Sequence, residues 1–244
     1  MRAKTISMAA RVPTRSTAVS YGGADADTLY GQEDNDRLNR DGGNDFLYGG
    51  TGNDILSGGW GTDFVSGEEG DDTATGGEGD DKLYGGDGID NLSGDNGNDL
   101  VLGFAGFDFL YGGLGNDRMF GGEDDDVIDG EDGDDSVYGG DDNDELVGAD
   151  GIDWLYAGSG NDLVYAGEND DTVYGGDGHD TLLGEEGNDR IEGGAGYDYI
   201  IAGDGDDVIF GGNDSDYLYG DAELPAGHRS RRCRRQDYLR PNHR

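Results

Sequence analysis

The sequence predicts an all-β fold, a parallel β-roll: a two-sheet β-solenoid with 18 residues per coil and about eleven coils. Three observations carry this. Residues 22–219 divide into 22 consecutive nonapeptides without an insertion or deletion. Position six is Asp in all 22, and position eight is Leu, Ile, Val or Met in 21. Position one is Gly in 18. A fixed period of this kind marks a repeat architecture and takes precedence over local or compositional readings.

Composition alone points the other way. The 244 residues carry a net charge of −40, and Leu, Ile, Val and Phe supply only 44 of them, a signature of disorder. The charge is unevenly placed. Residues 1–21 form a basic arm (Arg2, Lys4, Arg11, Arg15), expected to be disordered. Residues 22–219, the repeat body, hold 53 acids against 5 bases, and residues 220–244 form an Arg-rich tail, again expected to be disordered. So anionic a body is a poor partner for nucleic acid, and no stretch approaches the roughly 18 apolar residues of a membrane span. The one cysteine, Cys233, excludes a disulfide framework within the chain, and His179, His228 and His243 are too scattered for a histidine metal site.

Each nonapeptide reads as a turn followed by a strand. Positions seven to nine, as in Lys82-Leu83-Tyr84 or Thr172-Val173-Tyr174, form a short strand of about 10 Å. Alternation sends the eighth side chain to one face and its neighbours to the other. Positions one to six are Gly-rich, and position five is Asn or Asp in 14 repeats, residues expected to take the positive φ of a tight turn. Helix is excluded, because Gly at two or three of every nine positions costs about 1 kcal/mol each relative to Ala. A turn every nine residues reverses the chain, so repeat n+2 stacks on repeat n about 4.8 Å away. Two parallel sheets then form a rod about 50 Å long, with position-eight side chains facing each other.

Stacking aligns the position-six carboxylates into two columns of eleven, one on each edge of the rod. One column holds Asp27, Asp45, Asp63, Asp81, Asp99, Asp117, Asp135, Asp153, Asp171, Asp189 and Asp207. The other holds Asp36, Asp54, Asp72, Asp90, Asp108, Asp126, Asp144, Asp162, Asp180, Asp198 and Asp216. At an effective dielectric of about 20, charges about 4.8 Å apart repel by roughly 3 kcal/mol, so the columns call for a cation. Ca2+ to oxygen distances of about 2.3–2.6 Å place two opposed oxygens about 4.6–5.2 Å apart, matching the coil spacing, whereas Mg2+ at about 2.0–2.1 Å is too small. All 22 aspartates are therefore candidate calcium ligands, completed by turn carbonyls, with up to about 20 ions as the cofactor. Folding is expected to depend on calcium at extracellular levels.

The repeat resembles the hemolysin-type calcium-binding nonapeptide of the RTX (repeats-in-toxin) family, Gly-Gly-x-Gly-x-Asp-x-U-x with U a large apolar residue. Gly49-Gly50-Thr51-Gly52-Asn53-Asp54-Ile55-Leu56-Ser57 follows it at every position, and the resemblance covers about four-fifths of the chain. It implies that position-six Asp side chains and turn carbonyls of successive coils share each ion. It also implies a secreted protein, exported unfolded through a type I secretion apparatus and folding on meeting calcium outside the cell. Two features sit beside that expectation. Ile6 to Val12 is broken by Ser7 and Arg11 and lacks the apolar core of a signal peptide. The basic run from Gly227 to Arg235 departs from the family's C-terminal export signal, so that signal is not carried over.

Some repeats depart from the frame. Arg40 and Asp41 replace the opening Gly pair of the third, Ala74 replaces the core residue of the sixth, and Ala157, Ala166 and Ala202 replace first-position Gly. Local loss of calcium affinity is expected there, most of all at Arg40. Tyr at position nine (30, 48, 84, 111, 138, 156, 165, 174, 219) is read as cross-strand stacking in preference to a carbohydrate-binding stripe, and His179 as a turn residue. Carboxylates are too abundant for spacing to nominate a catalytic pair, and no His-Glu-x-x-His, Gly-x-Ser-x-Gly or phosphate loop occurs in the sequence. The functional reading is a non-catalytic calcium-binding repeat protein. The alternatives are a surface or matrix adhesin using the rod as a spacer, and a detached calcium-binding module of a secreted hydrolase or epimerase. Open sheet ends would favour end-to-end self-association.

Overall fold

The computed structural model describes residues 6–8, 19–21 and 25–220. The rest of the basic arm and the Arg-rich tail beyond residue 220 lie outside the described residues. The described residues form a two-sheet parallel solenoid, with 12 strands in each sheet among them. The chain alternates between sheets at every strand. Sheet one runs Ile6–Met8, Thr28–Glu33, Phe46–Thr51 and onward to Val208–Asn213; sheet two runs Val19–Tyr21, Arg37–Asn39, Ile55–Trp60 and onward to Tyr217–Tyr219. Within the repeats the register offset is 18 residues: Phe46 faces Phe64, and Leu47 faces Val65.

The strands are longer than the sequence led us to expect. Most have six residues, combining positions seven to nine of one repeat with positions one to three of the next, as in Phe46–Thr51. Gly50 pairs with Glu68 and Thr51 with Glu69, so part of the Gly-rich stretch is sheet, and the turn shrinks to positions four to six. Glycine there lets coils approach closely: a Cβ on Gly58 would lie 2.7 Å from the carbonyl oxygen of Gly76, one coil above.

Positive φ also falls elsewhere than expected. Among non-glycine residues it occurs at position two (Gln32, Glu68, Asp95, Phe104, Glu131, Ala149, Glu185) and position four (Asp34, Asp124, Asp142, Asn169, Asp214), never at position five. The strand bends at position two and the turn closes at position four. Gly meets both demands at least cost, which explains why it dominates those positions.

Position eight fills the core with a single file from each sheet, from Leu29 to Ile209, nearly all fully buried. Ala74 lies in that file, in register with Leu56 and Leu92. The basic arm is not wholly free: Ile6–Met8 pairs with Thr28 to Tyr30 and Val19–Tyr21 with Arg37 to Asn39, adding one strand to each sheet. An exposed parallel edge offers unpaired backbone groups, and these six residues pair with them despite lacking the repeat's Gly and Asp.

Candidate metal centre in the stacked turns

The three-residue turns settle nearly all of their N–H groups between coils. The position-four N–H donates to the position-three carbonyl of the coil above, as from Gly52 to Glu69 at 2.8 Å. The position-seven N–H donates to the position-six carbonyl of the coil below, as from Phe64 to Asp45 at 2.9 Å. At position five, an Asn or Asp side chain accepts the N–H of the same position one coil on: Asn98 accepts from Asn116 at 2.9 Å, and Asn143 from Asn161 at 2.8 Å. That ladder, and no positive φ, is the reason for amide and carboxylate side chains at position five. His179 takes the same part, its Nδ1 accepting the N–H of Tyr197 at 2.9 Å.

Position six completes the set. The backbone N–H of each Asp donates to Oδ1 of the Asp 18 residues later, from Asp27 to Asp45 at 2.7 Å through Asp99 to Asp117 at 2.7 Å and on to Asp198 to Asp216 at 3.2 Å. The structure therefore brings the 22 candidate ligands together as two columns, with a backbone hydrogen bond linking each consecutive pair. Asp27 to Asp207 are buried, while Asp216 is half-buried. Sequence reasoning missed these bonds. It foresaw the columns, the repulsion between carboxylates and the need for a cation, but not the hydrogen bonds that link successive aspartates.

One oxygen per carboxylate is left over. From Asp45 to Asp198, in steps of nine, Oδ2 is buried with no hydrogen-bond partner. It points toward the first-position residue of its own repeat: a Cβ on Gly112 would lie 2.6 Å from Asp117 Oδ2 and 2.6 Å from the Gly130 carbonyl of the coil above. Position-four carbonyls accept no backbone N–H among the described residues, and they aim at the α-carbon of the same position one coil on. In front of Gly187 the carbonyl oxygen of Asn169 and Oδ1 of Asp189 meet in the same space.

The electrostatics follow. Burial pushes these carboxyl groups up, to about 6 at Asp54, about 7 at Asp72 and Asp126, and about 8 at Asp99, Asp144 and Asp171. The ladder hydrogen bond opposes the rise and neighbouring carboxylates add to it. A buried carboxylate costs free energy unless paired or metal-bound, so a column of spare oxygens asks for positive charge. The donor set is all oxygen, carboxylate and carbonyl, which suits a hard cation such as Ca2+. Among the described residues no three His, Cys, Asp or Glu side chains converge on one point. A bound ion would therefore draw on turn carbonyls as well as aspartates.

Arg40 breaks the pattern. Its side chain is buried, and Nη1 lies 3.1 Å from Oδ2 of Asp27, the first Asp of its column. Its charge also acts on Asp45, the next Asp of that column.

Comparison with curated proteins finds no match. The family model described as RTX calcium-binding nonapeptide repeat (4 copies) matches residues 19–47, 40–74, 75–110, 111–146, 147–182 and 183–218. These matches span nearly the whole solenoid, and the chain belongs to the RTX calcium-binding nonapeptide repeat family.

Proposed function

We propose that the protein is a non-catalytic calcium-binding rod whose folding is driven by Ca2+, with Asp27 through Asp216 in steps of nine as its acidic ligands. The observation that supports this most is the file of buried Oδ2 atoms without partners from Asp45 to Asp198, aligned in register on both edges. Each pair of successive aspartates offers one site, for up to about 20 ions in all. Calcium neutralises the columns, and its binding free energy adds to folding because the unfolded chain holds no preformed site. The protein then stays unfolded where calcium is scarce and orders outside the cell, as suits a secreted member of this family exported by a type I apparatus.

Calorimetric titration with calcium, followed in parallel by far-UV circular dichroism, tests the reading. Many ions per chain and a β signal that grows with calcium are expected. A full β signal in EGTA, or a stoichiometry near zero, overturns it.

A second reading, a surface or matrix spacer rod, draws on the outer face of sheet one. There Tyr30 stacks on Tyr48 at 5.0 Å, and Phe120, Tyr138, Tyr156 and Tyr174 continue a ladder of rings at 4.7 to 6.3 Å. Trp154, about half exposed, borders it. Binding of the calcium-loaded protein to a glycan array, lost on replacing Trp154 and Tyr156 with Ala, supports this reading; no binding removes it.

A further inference from the structure

The geometry points to Arg40 as a tethered cation that takes the place of calcium between Asp27 and Asp45, so that this pair of coils closes without metal. The inference rests on the calcium reading above and identifies the one pair in the columns where the residues present do not fit the ion.

Position one is the place from which a side chain would enter the site. It is Gly in 18 repeats and Ala in three, and only Arg40 carries a side chain longer than a methyl group there. The reason for small residues is steric: a Cβ at Gly94 would lie 2.6 Å from the carbonyl of Gly112 and closer still to Asp99 Oδ2. Arg40 carries a whole guanidinium from that position, and it reaches the Asp of the coil below. Its side chain is 3% exposed, and it ion-pairs with Asp27 Oδ2 at 3.1 Å. Arg40 Nε and Nη2 are buried without partners, and Oδ2 of Asp45, five residues on, has none either.

A guanidinium stays charged at any ordinary pH and presents a fixed fork to carboxylates. Placed here, it supplies the positive charge the two carboxylates need and fills the volume an ion would use. It also repels a dication at that point. The charge of Arg40 also acts on Asp45 from one side, and Asp45 Oδ2 stays available to an ion shared with Asp63 on the other.

The experiment compares wild type with Arg40→Gly, which restores the commonest first-position residue, by native mass spectrometry of the full chain at saturating calcium. One additional ion per chain is expected in the variant. Arg40→Ala, matching the residue at 157, 166 and 202, serves as a second variant with the same expectation should the glycine variant fold poorly. Hydrogen exchange in EGTA supplies an independent readout: residues 25–47 are expected to keep protection in wild type and to lose about ten-fold or more of it in the variants. Equal, high calcium counts in all three proteins overturn the inference, as does a gain of one ion without any loss of metal-free protection. Absence of calcium from all three proteins overturns instead the reading on which it rests.

Discussion

Two pairs of coils on the same edge of the rod carry equivalent aspartates in the same geometry and contrast at the first position of the upper repeat, Arg40 in one and Gly112 in the other. Asp27 donates to Asp45 Oδ1 at 2.7 Å, and Asp99 to Asp117 Oδ1 at 2.7 Å. Against Asp27 of the first pair lies the guanidinium of Arg40; beside the second lies the bare α-carbon of Gly112. Asp99 keeps a buried Oδ2 without a partner, whereas its counterpart Asp27 is ion-paired through Oδ2; the upper members, Asp45 and Asp117, both keep a buried Oδ2 without a partner. The backbone thus sets the spacing everywhere, and charge balance is a separate problem, met by a side chain in one place and by no side chain in the other. The ladder hydrogen bond cannot solve it, because one neutral N–H does not cancel a buried negative charge.

The comparison breaks most visibly when calcium is withdrawn. In EGTA the coils between Asp90 and Asp135 are expected to lose their amide protection and most of the β signal with it. The coils from residue 25 to 47 retain a measurable part. Uniform loss along the chain, read by hydrogen exchange, would sink the distinction between the two regions.

Single substitutions give the next largest effect, with opposite dependence on calcium. Asp27→Ala strands the buried Arg40 charge, and breaking a buried pair from one side costs about 3–5 kcal/mol. That cost appears with or without metal, as local unfolding of the first coils. Asp117→Ala removes the acceptor of the Asp99 N–H, costing about 1–3 kcal/mol. It also deletes a proposed ligand, so the calcium midpoint of folding is expected to move to higher concentration. A calcium-dependent defect in Asp27→Ala would reverse the assignment.

Much of this architecture is legible in the sequence, because the 18-residue coil, the two sheets and the two Asp columns follow from period and side-chain type alone. What escapes is carried by the backbone. Gly49-Gly50-Thr51 looks like turn material, yet the carbonyl and N–H of such a segment can join a parallel ladder, and no side chain advertises it. Asn53 looks like a positive-φ residue, but its backbone is ordinary, its N–H is held by Asn35, and its own side chain donates to Asp71. Arg40 reads as a spoiled repeat in one dimension. Only the stacking shows that the charge it introduces lands beside Asp27.

Acidity separates the two regions more gently. Carboxyl groups raised to about 8 at Asp99 and Asp171, and to about 6 at Asp117, hold protons in the folded chain that the unfolded chain releases near pH 4. Their favourable contribution is complete below that unfolded value and is lost as pH rises through about 6 to 8. Without calcium, the middle of the rod is therefore expected to be more ordered at pH 5 than at pH 8, and the Arg40 coils to change less. Circular dichroism in EGTA from pH 5 to 9 reads the sign, and order that grows with pH would refute it.

The smallest effect is expected on the outer face, where both regions share one device. Tyr48 stacks on Tyr30 at 5.0 Å beside the Arg40 coils, and Tyr138 stacks on Phe120 at 4.7 Å near the middle. Neither ring touches the columns, so each contributes through cross-strand packing, worth about 0.5–1.5 kcal/mol beyond the area it buries. Tyr48→Ala and Tyr138→Ala should lower the thermal midpoint of the calcium-loaded protein by similar small amounts and leave the number of bound ions unchanged. Because the faces and edges are built from different positions of the same nonapeptide, equal effects at the two tyrosines are what a uniform sheet with non-uniform edges requires. A larger loss at Tyr138 that grows as calcium falls would mean that face and edge are coupled, and that the contrast between the two regions extends beyond Arg40.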